Sequence, residues 1–280
     1  MTEPANGPTT EPTTEPTTEP TTEPTTEPTT EPRTVPTGHL YGVGVGPGDP
    51  ELLTFKARRV IGACGVVAHF AARNRPGHAW AIVEPLIEPH QRVLRLEYPV
   101  TTDAVERVGY EQAIAAFYDH AADLVASELD SGRDVAVVCE GDPFFYGSYM
   151  YLHYRLAHRY PATVVPGVTS VSAAAAAGQP LVSLQESLTI LPGVLAPDAL
   201  KAALGGVDAA VVMKVGRHLA DVREALASAG LADQAWYVER ASGAGERILP
   251  LADTDGVDAP YFSLVLVPGA GLAQRYPDQR

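Results

Sequence analysis

From Gly38 onward, apolar residues fall into two alternating rhythms. Short β-rich runs are followed by longer stretches in which apolar positions recur every three or four residues. The pattern predicts strands near 39–45, 65–69, 92–97, 134–139 and 162–165, with helices near 50–61, 103–130, 147–159 and 169–177. Val105, Val108, Ile114, Phe117, Ala121 and Leu124 mark one face of the longest helix. Strands separated by helices imply right-handed crossovers and a mostly parallel sheet covered on both faces. After "AAAAAGQPLV" (173–182) the texture changes. Strands near 187–192, 209–215, 234–239, 246–251 and 261–267 follow, with helices only near 197–204 and 217–229. The last three strands are joined by loops too short for helical crossovers, so part of this sheet must be antiparallel. The predicted fold class is therefore α/β: two α/β domains, the first mostly parallel and the second mixed, divided near Gly178. A cleft between 38–178 and 179–280 is the expected ligand site.

The preceding residues, 1–37, lie outside that pattern. Positions 9–32 are six copies of TTEP, with proline every fourth residue and no large apolar side chain to bury. The expectation is a disordered tail of polyproline-II character, reaching on the order of 100 Å at ~3.1 Å per residue. It reads as a repeat that the folded body ignores, with a tether as the alternative.

Charge sharpens the picture only in part. The chain of 280 residues carries a formal −14, of which residues 1–36 contribute −6, leaving −8 for the remainder. A net acidic body disfavours nonspecific nucleic-acid binding. No apolar run is long enough for a transmembrane helix, and the N-terminus lacks the basic-then-apolar order of a secretory signal, so a cytoplasmic protein is expected. Cys64 and Cys139 lie far apart without metal-ligand spacing, and the eight histidines form no HExxH pattern, so no protein-bound metal is expected.

The stretch "YGVGVGPGDPELLT" (41–54) is where chemistry enters. A dinucleotide fingerprint needs GxGxxG, yet the third position is Pro47, Asp49 or Glu51 in the three available registers. No GKS or GKT supplies a phosphate-gripping lysine. Asp49 as N-cap, Pro50 as first helical residue and Glu51 place negative charge at a helix start, where it would repel a pyrophosphate. A second loop, "CEGDPFFYGS" (139–148), ends an apolar strand, and "VPGVTS" (165–170) ends a third. In a parallel sheet all three stand at the carboxyl edge, where ligands bind.

These three segments resemble the motifs of the tetrapyrrole methylases, the S-adenosylmethionine (SAM)-dependent enzymes of corrin and sirohaem synthesis. "EYPVTTD" (97–103), "GSYMYLHYRL" (147–156), "VVMKVGRH" (211–218), "WYVERAS" (236–242) and "APYFSLVLVPG" (259–269) narrow the resemblance to the branch methylating C-20 of precorrin-2. The resemblance implies SAM held by Pro47, Gly48, Asp49, Glu140, Gly141, Asp142, Phe145, Thr169, Ser170, Met213 and Ala241, with Glu140 standing where many relatives have glycine. It also implies a homodimer. A cationic donor suits acidic turns that would expel NAD. Methyl transfer needs alignment more than a strong base, and no nucleophile-elbow pattern is present. Tyr146, Glu140 and His153 are candidates for accepting the C-20 proton. Precorrin-2 is a polyanion, so Arg73, Arg75 and His78 form one candidate set of partners, and Lys214, Arg217 and His218 another. Rival readings are another precorrin methyltransferase or a cobalt-loaded substrate, a nicotinamide-dependent oxidoreductase, and a non-catalytic adaptor working through the tail.

Overall fold

Two five-stranded sheets follow one another along the chain, and their helices are dealt out differently. The structure, a computed structural model, describes residues 36–98, 107–176, 178 and 180–275. The first sheet contains β1 (Leu40–Gly44), β2 (Val66–Ala72), β3 (Arg92–Tyr98), β4 (Val135–Cys139) and β5 (Ala162–Val165), in spatial order β3-β2-β4-β1-β5 and parallel throughout. Its helices are α1 (Phe55–Ala63), α2 (His78–Val83), α3 (Arg107–Asp130) and α4 (Tyr149–Leu156). Phe117, Val125 and Leu129 of α3 and Leu152 of α4 pack on Leu40, Ala68 and Val137. Ala57, Val60 and Ile61 of α1, with Ile82 and Val83 of α2, pack on Val43, Val67 and Val138 from the opposite side. The central strand β4, "VAVVC", is buried at every position, as a strand covered on both faces must be.

The second sheet contains β6 (Leu188–Pro192), β7 (Ala209–Met213), β8 (Trp236–Glu239), β9 (Arg247–Pro250) and β10 (Ser263–Val267), in order β6-β7-β10-β8-β9. Only β6 and β7 run parallel; the pairs β7–β10, β10–β8 and β8–β9 are antiparallel, as the short connections require. Helices α6 (Pro197–Leu204) and α7 (Leu219–Ser228) cover one face through Leu200, Leu204, Val222 and Leu226. The other face, Val211, Val238, Leu264 and Leu266, receives α5 (Ser170–Ala176) and Phe145 from the loop after β4. A short α8 (Gly271–Arg275) follows β10.

Two departures from the sequence expectations stand out. The helix expected over 50–61 is broken: Pro50–Leu52 form a 3-10 turn, Leu53 is extended, and α1 starts at Phe55. Thr54 caps α1 instead, its Oγ1 accepting the Ala57 N–H at 3.0 Å. Asp49 caps only the 3-10 turn, accepting the Glu51 N–H at 2.8 Å, so its charge does not sit on the dipole of α1. Helix α2 was not expected at all, being six residues long and followed closely by Pro85. The helix expected from 103 is described only from Arg107, and 103–106 lie outside the described residues.

Candidate active site

The carboxyl ends of β1, β4 and β5 bring the three glycine-bearing loops together, and glycine is what lets them touch. A Cβ on Gly167 would lie 2.0 Å from the Gly141 carbonyl oxygen, and one on Gly44 would lie 2.6 Å from the same oxygen. The Gly141 N–H donates to the Gly46 carbonyl at 2.8 Å, closing a small bridge between the first and second loops. Gly46 and Gly141 both have positive φ, 82° and 63°. Gly42 instead makes room for a helix, since its Cβ would fall 2.2 Å from the ring of Tyr149, which is fully buried and fills that space from α4. These glycines thus serve loop-on-loop and helix-on-strand approach.

Asp142 ties the second loop to the third. One carboxylate oxygen accepts the Phe144 N–H at 2.9 Å and the other accepts the Gly167 N–H at 3.1 Å. Glu140 stands differently. Its half-buried carboxyl has no hydrogen bond or ion pair to a described residue, and desolvation pushes its pKa up to about 8. Pro47 is buried, while Thr169 caps α5, its Oγ1 facing the Ser172 N–H at 3.4 Å, with Ser170 as the first helical residue.

Loops of the second sheet close against this edge. The Asp49 N–H donates to Ser242 Oγ at 3.3 Å, and a Cβ on Gly48 would meet Gly243 Cα at 2.6 Å and the Ala241 carbonyl oxygen at 3.4 Å. Phe145 and Met213 pack in one cluster with Ala241. The Lys214 ammonium lies 4.9 Å from the centroid of the Tyr146 ring. Tyr146, Lys214, Arg240 and Ser242 all adopt positive φ, between 46° and 62°, a conformation that side-chain-bearing residues rarely hold. The structure therefore gathers Pro47, Gly48, Asp49, Glu140, Gly141, Asp142, Phe145, Thr169, Ser170, Met213, Ala241, Tyr146 and Lys214 around one seam.

Other expected residues lie farther out. His153 stands along α4, its ring against Phe144 at 4.9 Å and its Nδ1 3.3 Å from the Tyr149 hydroxyl. His78 opens α2 with its ring 4.0 Å from that of Phe262; burial, and then nearby Arg240, lower its pKa. Arg73 is ion-paired with Glu97 at 3.7 Å. The guanidiniums of Arg75 and Arg217 have no partner among the described residues. His218 faces Asp221 at 3.8 Å. Sequence reasoning missed Arg240, Ser242 and Gly243; the signal was a Ser-Gly-Ala-Gly run (242–245) directly after a strand. Two surface depressions, of about 380 Å³ beside Phe55 and about 560 Å³ beside Arg275, lie away from the seam. Chemistry rather than depth marks the site.

A cationic, partly apolar ligand fits this arrangement. The Glu140 carboxyl, desolvated and without a partner among the described residues, leads the same loop that carries Phe145, and a positive charge placed beside it would restore its ionised form. No described helix is long and apolar enough to cross a membrane, and no group of three or more metal-ligating side chains is found among the described residues.

Comparison with known proteins bears on the same residues. Residues 39–254 match the family model described as Tetrapyrrole (Corrin/Porphyrin) Methylases. The cobalamin biosynthesis protein CobIJ of Mycobacterium tuberculosis is 53% identical over 234 residues, which cover 83% of this chain but only 46% of that protein. The chain thus spans about half the length of the mycobacterial relatives it matches. A precorrin-2 C(20)-methyltransferase of a Sinorhizobium species is 50% identical over 234 residues, covering 83% of this chain and 96% of that one. Among solved structures, uroporphyrin-III C-methyl transferase of Thermus thermophilus complexed with S-adenyl homocysteine superposes with a TM-score of 0.58 at 26% identity, covering 82% of this chain and 92% of that one.

Proposed function

The chain belongs to the tetrapyrrole methylases, and from that membership we propose that it methylates C-20 of precorrin-2, with SAM as donor. What carries the reading is the 50% identity to the Sinorhizobium protein of that name across nearly its whole length. In the same reading the protein works as a cytoplasmic homodimer, with its two domains meeting near Gly178.

SAM supplies a methyl group on a positively charged sulfur, which keeps the bonding electron pair when the methyl leaves. The chain's own part is placement. Pro47, Phe145, Met213 and Ala241 offer apolar surface to the adenosine, and Gly48, Asp49, Gly141, Asp142, Thr169 and Ser170 shape the loops around it. Glu140 gives up its proton when a cation approaches and then balances that charge. An enamine-like meso carbon is already nucleophilic, so alignment alone supplies roughly 7–11 kcal/mol of the barrier. The C-20 proton then passes to Tyr146 or Glu140 at the seam. His153, turned toward Phe144 and Tyr149, is the least favoured acceptor. Arg75, Lys214 and Arg217 offer cations to the carboxylates of the tetrapyrrole and His78 a neutral N–H donor, while Arg73 must first leave Glu97.

Incubation with SAM and either metal-free or cobalt-loaded precorrin-2, read by mass and NMR, tests this. One added methyl at C-20 of the metal-free substrate, undiminished when residues 1–37 are removed, is the expected result. Methylation at another carbon, or tight NADH binding without SAM turnover, contradicts it.

A further inference from the structure

We infer that Arg95 is a positioning residue: it holds the loop 72–77 in the shape that presents the free Arg75 guanidinium to a substrate carboxylate. The inference rests on the tetrapyrrole reading above.

Arg95 sits on the edge strand β3, in register with His69 of β2. Its Nη2 donates to the Ala72 carbonyl at 2.6 Å and to the Arg73 carbonyl at 3.0 Å, and reaches the Arg75 carbonyl at 3.4 Å. Its Nε faces Glu97 at 3.3 Å, the same carboxylate that holds Arg73. One guanidinium thus gathers three carbonyls of a single turn, beside the bridge between Ala72 and Arg75. At its base the loop is shut by Gly77, whose Cβ would lie 2.0 Å from the Phe70 carbonyl oxygen. His69 is buried against Trp80, ring centroids 4.6 Å apart, and its Nδ1 has no hydrogen-bond partner. Arg75 is left with its backbone fixed at both N–H and C=O and its side chain unpaired among the described residues. With its backbone held, Arg75 has only its side-chain freedom left to lose on meeting a carboxylate, and preorganising the loop removes the rest of that cost. The three carbonyls share the two N–H groups of Nη2 while Nε stays on Glu97, an arrangement in which a lysine ammonium can replace the carbonyl bonds only by giving up the tie to Glu97.

Steady-state methyl transfer with SAM and precorrin-2 tests the pair through Arg75→Ala, Arg95→Met, Arg95→Lys and the Arg75→Ala/Arg95→Met double variant. Arg75→Ala should raise the tetrapyrrole KM about tenfold with kcat and the SAM KM unchanged. Arg95→Met should raise the same KM about fivefold, Arg95→Lys should recover part of it, and the double variant should be no worse than Arg75→Ala alone. Additive effects, or an unchanged KM in Arg95→Met, overturn the inference while leaving the function standing. An unchanged KM in Arg75→Ala also overturns it. No methylation by the wild-type protein would fault the function instead. Should Arg95→Met fail to fold, faster amide hydrogen exchange at 72–77 in Arg95→Lys than in wild type is the supporting result, and equal exchange the opposing one.

Discussion

The two sheets meet at one seam but reach it by opposite means. On the parallel side, the left-handed positions Gly46 and Gly141 are glycines, and Gly44 and Gly167 let three loops close on one another. On the mixed side, Lys214, Arg240 and Ser242 hold the same left-handed conformation while carrying side chains. A glycine there would relieve strain of order 1 kcal/mol. Lys214 keeps a long cation at one of these positions, set against the Tyr146 ring. At these left-handed positions the parallel half therefore relies on glycine and the mixed half keeps side chains. Tyr146, at φ 56° in the loop after β4, is where the first half behaves like the second, and it is the residue that Lys214 meets.

The largest effect expected from this contrast comes from adding one methyl to the backbone side. Gly167→Ala places a Cβ 2.0 Å from the Gly141 oxygen and strains the bond from its own N–H to Asp142. Destabilisation by about 3 kcal/mol or more, roughly 6–12 °C in Tm, with loss of SAM binding, is expected from overpacking a site with no slack. An unshifted melting curve would mean the loops are looser than the contacts imply. Lys214→Gly probes the other half and should do the reverse. Relief of strain offsets the lost contact with Tyr146, so stability stays within ~1 kcal/mol, while the tetrapyrrole KM rises roughly tenfold and SAM affinity holds. A large fall in Tm with normal KM would make Lys214 a structural residue.

Much of this architecture was legible in the chain. The switch from long helical crossovers to short connections after residue 182 announced the change from a parallel to a mixed sheet, and β10 between β7 and β8 bears it out. What escaped was local competition. The sequence offered Asp49 as the helix cap, whereas the α-helix begins after Thr54. The acidic, glycine-rich loops were visible as a site, but not the division of labour among them. Asp142 looks as free as Glu140 in the sequence, yet both of its oxygens are engaged by backbone N–H groups, while Glu140 is left without a partner. Contacts such as Gly48 with Gly243, or Arg95 with the carbonyls of 72–75, join residues whose spacing carries no periodic signal.

Glu140 is where the assignment of the seam is most exposed to test. Burial raises its pKa from 4.5 to about 8, so the folded chain keeps a proton that the unfolded chain loses over that window. The stability gained from this group is therefore full below about pH 4.5 and falls as pH rises toward 8. Titration calorimetry with SAM at pH 7, in two buffers of different ionisation enthalpy, measures the proton directly. The prediction is release of about one proton per site on binding, affinity that climbs with pH until about 8, and neither effect in Glu140→Gln. SAM binding with no proton released, or no SAM binding at all, would contradict the assignment of this seam to a cationic methyl donor.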